Sequence, residues 1–395
     1  MCLPVMRALR QAQPNSETVI LALTTACAVA REAGESPLGY RDLVHGTEGE
    51  RALAYGRELL AGHAHPQVAP EESVAYLGRN FLEWVDAVGE AGAWRRWRDG
   101  GRQGFLPVQF FEEVLRKLRP DVVVTTNSPR SEQAAIEAAW ALGIPSLSMV
   151  DLFALPGDPF LQRRLHATRI TVPAEATRTN LLAAGVEPQR IVVTGNPALD
   201  ALSMPASVET GRRWREACGW GPDSKVVLWA GHKEPADAQP ADWAGTGLAA
   251  AVQQRLLQWV EQDSRAHLAV RYHPNEWHEF APPPLHPRIH WSQPDREPLL
   301  PVLMGSDSVV VQATTVGVQA HAAGKRLIGL SFSPLVRRSD MDYGRLGLGE
   351  AVASLDALVP ALQRDAAPLD RPLRHQAAPV IAEIIIGLAG QRAPA

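Results

Sequence analysis

Three short loops in the second half of the chain carry residue types suited to holding a phosphate. They are Gly231-His232-Lys233, His273-Pro274-Asn275 and Ala313-Thr314-Thr315-Val316-Gly317. Each follows an apolar run that reads as a buried strand: Lys225–Ala230, Ala266–Tyr272 and Ser308–Gln312. Loops leaving the same edge of a parallel sheet converge on one crevice. Thr314 and Thr315, with the backbone amides before Val318, open a helix, and a helix N-terminus can hold an anion without a metal. His232 and His273 can donate to phosphate oxygens or to a sugar hydroxyl, and Lys233 or Arg271 can supply positive charge. Singly these signals are weak, because a lone histidine is more often structural and Thr-Thr before a helix is usually an N-cap. Their joint placement on strand ends predicts a site for a nucleotide mono- or diphosphate.

A second loop cluster lies in the first half. The segment RPDVVVTTNSPRSEQAAIEAAWALGIPSLSMVDLF reads as strand Asp121–Thr125, helix Ser131–Leu142, a stop at Gly143 and strand Pro145–Val150. The Thr126–Arg130 loop sits at the carboxyl end of its strand, where open α/β sheets bind ligands. Two readings stand side by side. In one, Ser128 or Ser131 caps the helix; in the other, Asn127, Ser128, Arg130 and the helix N-terminus face a ligand. Among nearby carboxylates Asp151 is the first choice for a general base, with Asp158 and Glu132 behind it. The alternative for Asp151 is a solvated or capping residue.

The elements that must position these loops alternate along the chain. Helices are predicted over Pro4–Gln13, Thr24–Glu35, Gly46–Ala61, Glu71–Trp97 and Leu106–Leu118, with a strand at Thr18–Leu23. Tyr76, Phe81, Trp84, Trp94 and Trp97 recur at helical spacing and read as core or helix–helix contacts, with acceptor binding as the alternative. Asp99-Gly100-Gly101 lacks a following Lys-Ser or Lys-Thr and is not a phosphate loop. Ile170–Val172 and Ile191–Thr194 are strands around a helix from Ala174 to Ala184, which stops at Gly185. Beyond Ser203, a polar helix surrounds Arg212–Cys218. The three loop-bearing strands are then joined by helices Leu248–Gln262 and Leu299–Gly305, by strands Arg288–Trp291 and Arg326–Leu330, and by a helix ending at Ala323. A last helix, Val380–Leu388 behind Pro379, is expected to pack on the first domain.

Length and composition bound the class. A chain of 395 residues is too long for one ordinary core, so two domains are expected: 1–202 and 203–376, with a C-terminal helix and tail at 377–395. Hydrophobic content of 46% and charged content of 21% are ordinary for a globular protein. The net charge of −4, without a basic block, argues against nucleic acid as a partner. Cys2, Cys27 and Cys218 show no paired spacing, which predicts neither a disulfide frame nor a cysteine zinc site and fits a reducing cytoplasm. No apolar run reaches the roughly 20 residues that span a bilayer, and no signal peptide is visible.

The stretch ITVPAEATRTNLLAAGVEPQRIVVTGNPALDAL, Ile170–Leu202, resembles the end of the first domain in the UDP-N-acetylglucosamine 2-epimerase family and its two-domain glycosyltransferase relatives. Those chains carry a strand, PTE-x-A-x-x-NLL-x-x-GV, a short turn and I-x-VTGNP-x-x-DAL. Gly231-His232 and His273-Pro274-Asn275 resemble the family's Gly-His and His-Pro-Asn segments. Thr315-Val316-Gly317-Val318-Gln319 stands where the epimerases carry Ser-Gly-Gly-x-Gln, which adds Gln319 to the site. His-Pro followed by Thr-Thr-x-Gly is also similar to bacterial capsule and teichoic-acid transferases. The resemblance, from about Pro4 to Leu362, implies an α/β fold of GT-B type, with two Rossmann-like domains facing across a cleft. It implies that the second-domain loops hold the nucleotide of a nucleotide sugar, with UDP favoured, and that no metal or other cofactor is needed.

The departures from the family are specific. Epimerases follow the Gln with Glu-Glu, one of which holds the ribose, where this chain has Ala320-His321. Asn127-Ser128 replace Gly-Asp, only Asp151 lies near the position of the next Glu, and Asp158-Pro159-Phe160 replace Pro-Glu-Glu. Removing the C2 proton and eliminating the nucleotide both need placed acids or bases, so the expectation is glycosyl transfer in surface-glycan or related glycoconjugate assembly. A glycan or small molecule would be the acceptor, and a homodimer is compatible. An epimerase or hydrolase with altered groups, and a non-catalytic nucleotide-sugar binding protein, are the alternatives. The family's first strand and glycine-rich loop have no counterpart before Pro4. This predicts a start upstream of Met1, or a protein that dispenses with the loop.

Overall fold

A computed structural model describes residues 1–22, 25–61, 68–364 and 376–390. The chain forms two compact units, Met1–Ala198 with Gln376–Ala395, and Leu199–His375.

Unit 1 opens with six helices: α1 (Cys2–Ala12), α2 (Thr25–Glu32), α3 (Gly46–Leu59), α4 (Pro70–Val88), α5 (Glu90–Gly100) and α6 (Val108–Leu118). The strand expected at Thr18–Leu23 is reduced to a single parallel bridge between Leu21 and Leu38, and Leu23 lies outside the described residues. The helix expected over Glu71–Trp97 is two helices, because Gly89 between them has φ of 71°. Phe81 lies tilted against Trp94 with ring centroids 4.6 Å apart, and Trp84, Tyr76 and Trp97 all lie against Phe105. These rings therefore make the helix–helix contacts read from their spacing.

The rest of unit 1 is a parallel sheet in strand order β1 (Val123–Thr125), β2 (Ser146–Met149), β3 (Arg169–Val172), β4 (Ile191–Val193). Its crossovers contain α7 (Ser131–Ala141) and α8 (Glu175–Ala183). The final helix of the chain, α15 (Ala377–Ala389), belongs to this unit. Its Ile381, Ile385 and Leu388 bury against Val5 of α1 and against Leu147 and Met149 of β2. Each side chain buried there contributes about 1.5–3 kcal/mol.

Unit 2 comprises α9 (Pro205–Ala217), β5 (Lys225–Gly231), α10 (Gly247–Gln262), β6 (Ala266–Tyr272), β7 (Ile289–Trp291), α11 (Leu299–Gly305) and β8 (Ser308–Val311). It continues through α12 (Thr315–Ala322), β9 (Arg326–Leu330), α13 (Pro334–Ser339), β10 (Glu350–Val352) and α14 (Leu358–Gln363). All six strands are parallel, in the order β7-β6-β5-β8-β9-β10. The chain builds outward from β5 in one direction, then returns to build outward from β8 in the other. This is the doubly wound order of a Rossmann sheet, and its topological switch point lies between β5 and β8. The α/β class expected from the sequence, with a parallel sheet in each half, is the one observed. Among the described residues no helix is long and apolar enough to cross a membrane.

Candidate functional site

The carboxyl ends of β5 and β8 meet in unit 2. Their chains part at the switch point, so the loops leaving them open outward from each other there. Gly231 ends β5 because nothing larger fits: a Cβ would lie 2.6 Å from the Trp229 ring and 2.9 Å from Tyr272. The amide of the next residue, His232, donates to Gln312 Oε1 at 3.0 Å and ties the β5 exit to the β8 exit. The His232 ring spans the same gap. Its Nδ1 faces the Lys233 carbonyl at 3.0 Å and its Nε2 the Ala313 carbonyl at 3.1 Å. Backbone carbonyls face both ring nitrogens, a neutral ring donates to one of them, and His232 positions the loops.

The neighbouring candidates divide in the same way. The amide of His273 donates to the Gly231 carbonyl at 3.1 Å, which places the β6 exit beside the β5 exit. The exposed ring of His273 accepts the Asn275 amide on Nδ1 at 3.3 Å. An accepting Nδ1 puts the proton on Nε2, which has no partner among the described residues. The Lys233 ammonium donates to Glu279 at 2.7 Å, which holds the ammonium above and the carboxyl below their ordinary ranges. Arg271 is not the surface cation that the sequence suggested. It is buried, donating to Ser292 Oγ at 2.7 Å and to the Glu297 carbonyl at 2.9 Å, and burial lowers its pKa.

The helix after β8 begins where the sequence places it. Thr314 is its N-cap, with Oγ1 accepting from Val316 N, and Thr315 at the first helical position is exposed. Gly317 in the first turn faces Tyr343, into whose ring a Cβ would run. Tyr343 is fully buried and its hydroxyl donates to the Thr314 carbonyl. Gly317→Ala should therefore destabilise the protein by about 1–3 kcal/mol through overpacking, read as a lower urea midpoint at unchanged slope. Gln319 is half-buried on α12. His321 meets the Leu348 carbonyl through Nδ1 at 2.8 Å, so it anchors the loop before β10.

Sequence reading missed the group that holds these exits together. Glu234, 4% exposed, accepts from Gln312 Nε2 and Ser333 Oγ on one oxygen and from the Leu335 amide at 2.7 Å on the other. It joins the β5 exit to the β8 exit and to the start of α13. The available signal was Gln312, a polar residue ending an apolar strand.

In unit 1 the Thr126–Arg130 loop is closed by Glu132, whose Oε2 accepts from the Thr126 hydroxyl and from Ser128 N. The cap expected from Ser128 or Ser131 is not formed: the N-cap is Arg130, without a side-chain cap, and Ser131 Oγ pairs with buried Tyr40. Arg130 reaches Gln103 at 3.4 Å, and Asn127 is half-buried. Behind the loop is a small recess, with room for little more than a water molecule, lined by Thr126, Ser128, Gln133, Ser148, Arg164 and His166 among others. Gln133 is 6% exposed; its Nε2 donates to Glu137 and its buried Oε1 has no partner among the described residues.

The three carboxylates differ in use. Glu132 closes its loop, and Asp158 accepts the Phe160 amide at 2.9 Å as a cap. Asp151, half-buried just beyond β2, has no hydrogen bond to its carboxylate among the described residues. Its backbone is held instead: Asn196 Nδ2 donates to the Asp151 carbonyl at 3.1 Å. This is the use of the Gly195-Asn196-Pro197 turn, where Gly195 takes φ of 92°.

No family model and no curated protein matches the chain. Solved structures do. The UDP-GlcNAc 2-epimerase from Methanocaldococcus jannaschii is 16% identical, with a TM-score of 0.49 over 71% of this chain and 80% of that one. The Neisseria meningitidis UDP-GlcNAc 2-epimerase bound to UDP-GlcNAc is 17% identical, with a TM-score of 0.49 over 87% and 98%. The wall teichoic acid polymerase TagF is 10% identical, with a TM-score of 0.45 over 80% and 98%. At these values the likeness speaks to neither reaction nor ligand, and the fold rests on the strand order. By that order the chain is a two-unit α/β protein whose second unit is a doubly wound Rossmann sheet, and the solved structures similar to it come from the groups its motifs resemble.

Proposed function

We propose that this chain is a nucleotide-sugar-dependent glycosyltransferase of GT-B type, acting in surface-glycan or related glycoconjugate assembly. The observation that carries the reading is the switch point of unit 2. There an exposed helix start at Thr315 and the neighbouring β6 exit, with the free Nε2–H of His273, stand at one sheet edge. Such an edge suits the diphosphate of a nucleotide donor. Unit 1 supports the other half of the reaction. There Asp151 is the one carboxylate of the three candidates not consumed by a local hydrogen bond among the described residues.

In this reading Asp151 takes the proton of an acceptor hydroxyl as that oxygen attacks C1 of the donor sugar. The bond from C1 to the diphosphate breaks, and the nucleotide leaves with the electron pair. The Thr315 amide at the start of α12 and His273 Nε2–H stabilise the departing charge, so the step calls on no metal. His232, Gln312 and Glu234 keep the loops in register.

The test is turnover of UDP-, CMP- and GDP-sugars with and without glycan or small-molecule acceptors. Nucleotide released together with a glycosylated acceptor supports the proposal. Interconversion at C2, or release of free sugar only, would assign an epimerase or hydrolase instead. Binding without any turnover would leave a nucleotide-sugar binding protein.

A further inference from the structure

Three side chains from separate elements of unit 2 line up away from the loops described above. Cys218 follows α9, His290 lies in the edge strand β7, and Glu297 precedes α11. Cys218 Sγ is 4.0 Å from His290 Nδ1, and His290 Nε2 is 2.9 Å from Glu297 Oε2. A carboxylate oxygen only accepts, so Glu297 takes the Nε2–H and leaves Nδ1 to face the sulfur. Trp214 Nε1 donates to the other oxygen of Glu297 at 2.8 Å, and the Trp214 ring stands perpendicular to His290 at 5.3 Å. The orienting carboxylate and the imidazole are both held.

The environment agrees with the geometry. Burial alone would lower the basicity of His290, but its contacts with Cys218 and Glu297 outweigh it and hold the pKa up at about 9. At neutral pH a ring of that basicity is a cation, and a cation beside a sulfur favours the thiolate form. Cys218 is partly exposed, so small molecules can reach it. The arrangement is a relay from thiol to imidazole to carboxylate. It does not converge on a point, and among the described residues no group of His, Cys, Asp and Glu is placed to hold a metal ion. In the strand ladder His290 pairs with Ala269, four residues before His273. Four residues is about 13 Å along a strand, which separates the relay from the sheet edge.

We propose that Cys218, His290 and Glu297 form a base-activated thiol, the covalent modification site of this chain for small soft electrophiles. The roles are those of any activated cysteine nucleophile: sulfur attacks as the thiolate, its proton rests on His290 Nδ1, and Glu297 holds the ring in place. With iodoacetamide the new bond is Sγ–C, the C–I bond breaks, iodide leaves, and the proton passes from Nδ1 to solvent.

The other two cysteines provide the comparison. Cys2 is partly buried and its thiol is pushed up by burial, while Cys27 has no histidine partner among the described residues. The experiment labels the whole protein with iodoacetamide at neutral pH and follows each cysteine by peptide mass spectrometry. It is repeated in a Cys2→Ser, Cys27→Ser background, native and in urea. Native Cys218 should react about tenfold or more faster than the same residue in urea. His290→Asn should abolish that advantage, and Glu297→Gln should reduce it at least about threefold through the lost orientation. A native rate equal to the urea rate, or one unchanged in both variants, would overturn the proposal. If His290→Asn fails to fold, Glu297→Gln alone decides.

Discussion

Glu234→Ala is expected to destabilise unit 2 by about 3–5 kcal/mol, the largest stability effect of any single change at the loop exits. Glu234 is 4% exposed and accepts from three donors, buried Gln312 Nε2 and Ser333 Oγ and half-buried Leu335 N. Alanine leaves all three donors without a partner and opens a void that only water could fill. Each unsatisfied buried donor costs about 1–3 kcal/mol, and shared relaxation keeps the sum below simple addition. Urea unfolding should show a lower midpoint for the unit 2 transition with the slope preserved. Glu234→Gln keeps the volume but turns one acceptor into a donor, so its cost should be smaller. A loss below about 1 kcal/mol for alanine would mean that the network does not hold the loops.

Asp151→Asn should reduce kcat by about a thousandfold, within the usual worth of a general base. Asparagine keeps the shape of the side chain and the backbone carbonyl that Asn196 holds, so the fold should survive. Nucleotide affinity should stay within about twofold, because in the proposed mechanism Asp151 acts on the acceptor hydroxyl and makes no contact with the leaving nucleotide. Comparing kcat with nucleotide Kd in the same variant separates a base from a binding residue. A kcat loss below about tenfold would remove Asp151 from that role.

The parts legible in the sequence were those written in local pattern. Alternation of apolar runs with helical segments marked the parallel sheets, and glycine marked the helix stop at Gly185. Thr314 was readable as an N-cap from its position before an apolar helix. The misreadings arose where a side chain's partner lies far along the chain. Arg271 looked like a phosphate cation because it stands next to last in its strand, two residues before His273. Every residue of β6 is buried, however, so that strand offers no solvent face, and the guanidinium turns instead to Ser292 and Glu297. His232 looked like a donor to ligand, yet carbonyls on two loops already face both nitrogens. Glu234 and Gln312 are 78 residues apart, and Cys218 and His290 are 72 apart, spacings that no periodicity reports. The break at Gly89 was missed because the apolar spacing continues through it while the backbone there takes a positive φ.

The claim on which the functional reading depends is that the switch point of unit 2 holds a nucleotide diphosphate. Titration calorimetry of the intact protein with UDP, CDP and GDP tests it most directly, with His273→Ala and Thr315→Ala run alongside. One nucleotide should bind, and His273→Ala should weaken it about tenfold or more, the worth of a hydrogen bond to a charged group. Thr315→Ala should weaken it by a smaller factor. No heat with any nucleotide, or the same affinity in the wild type and both variants, would contradict the assignment of that edge.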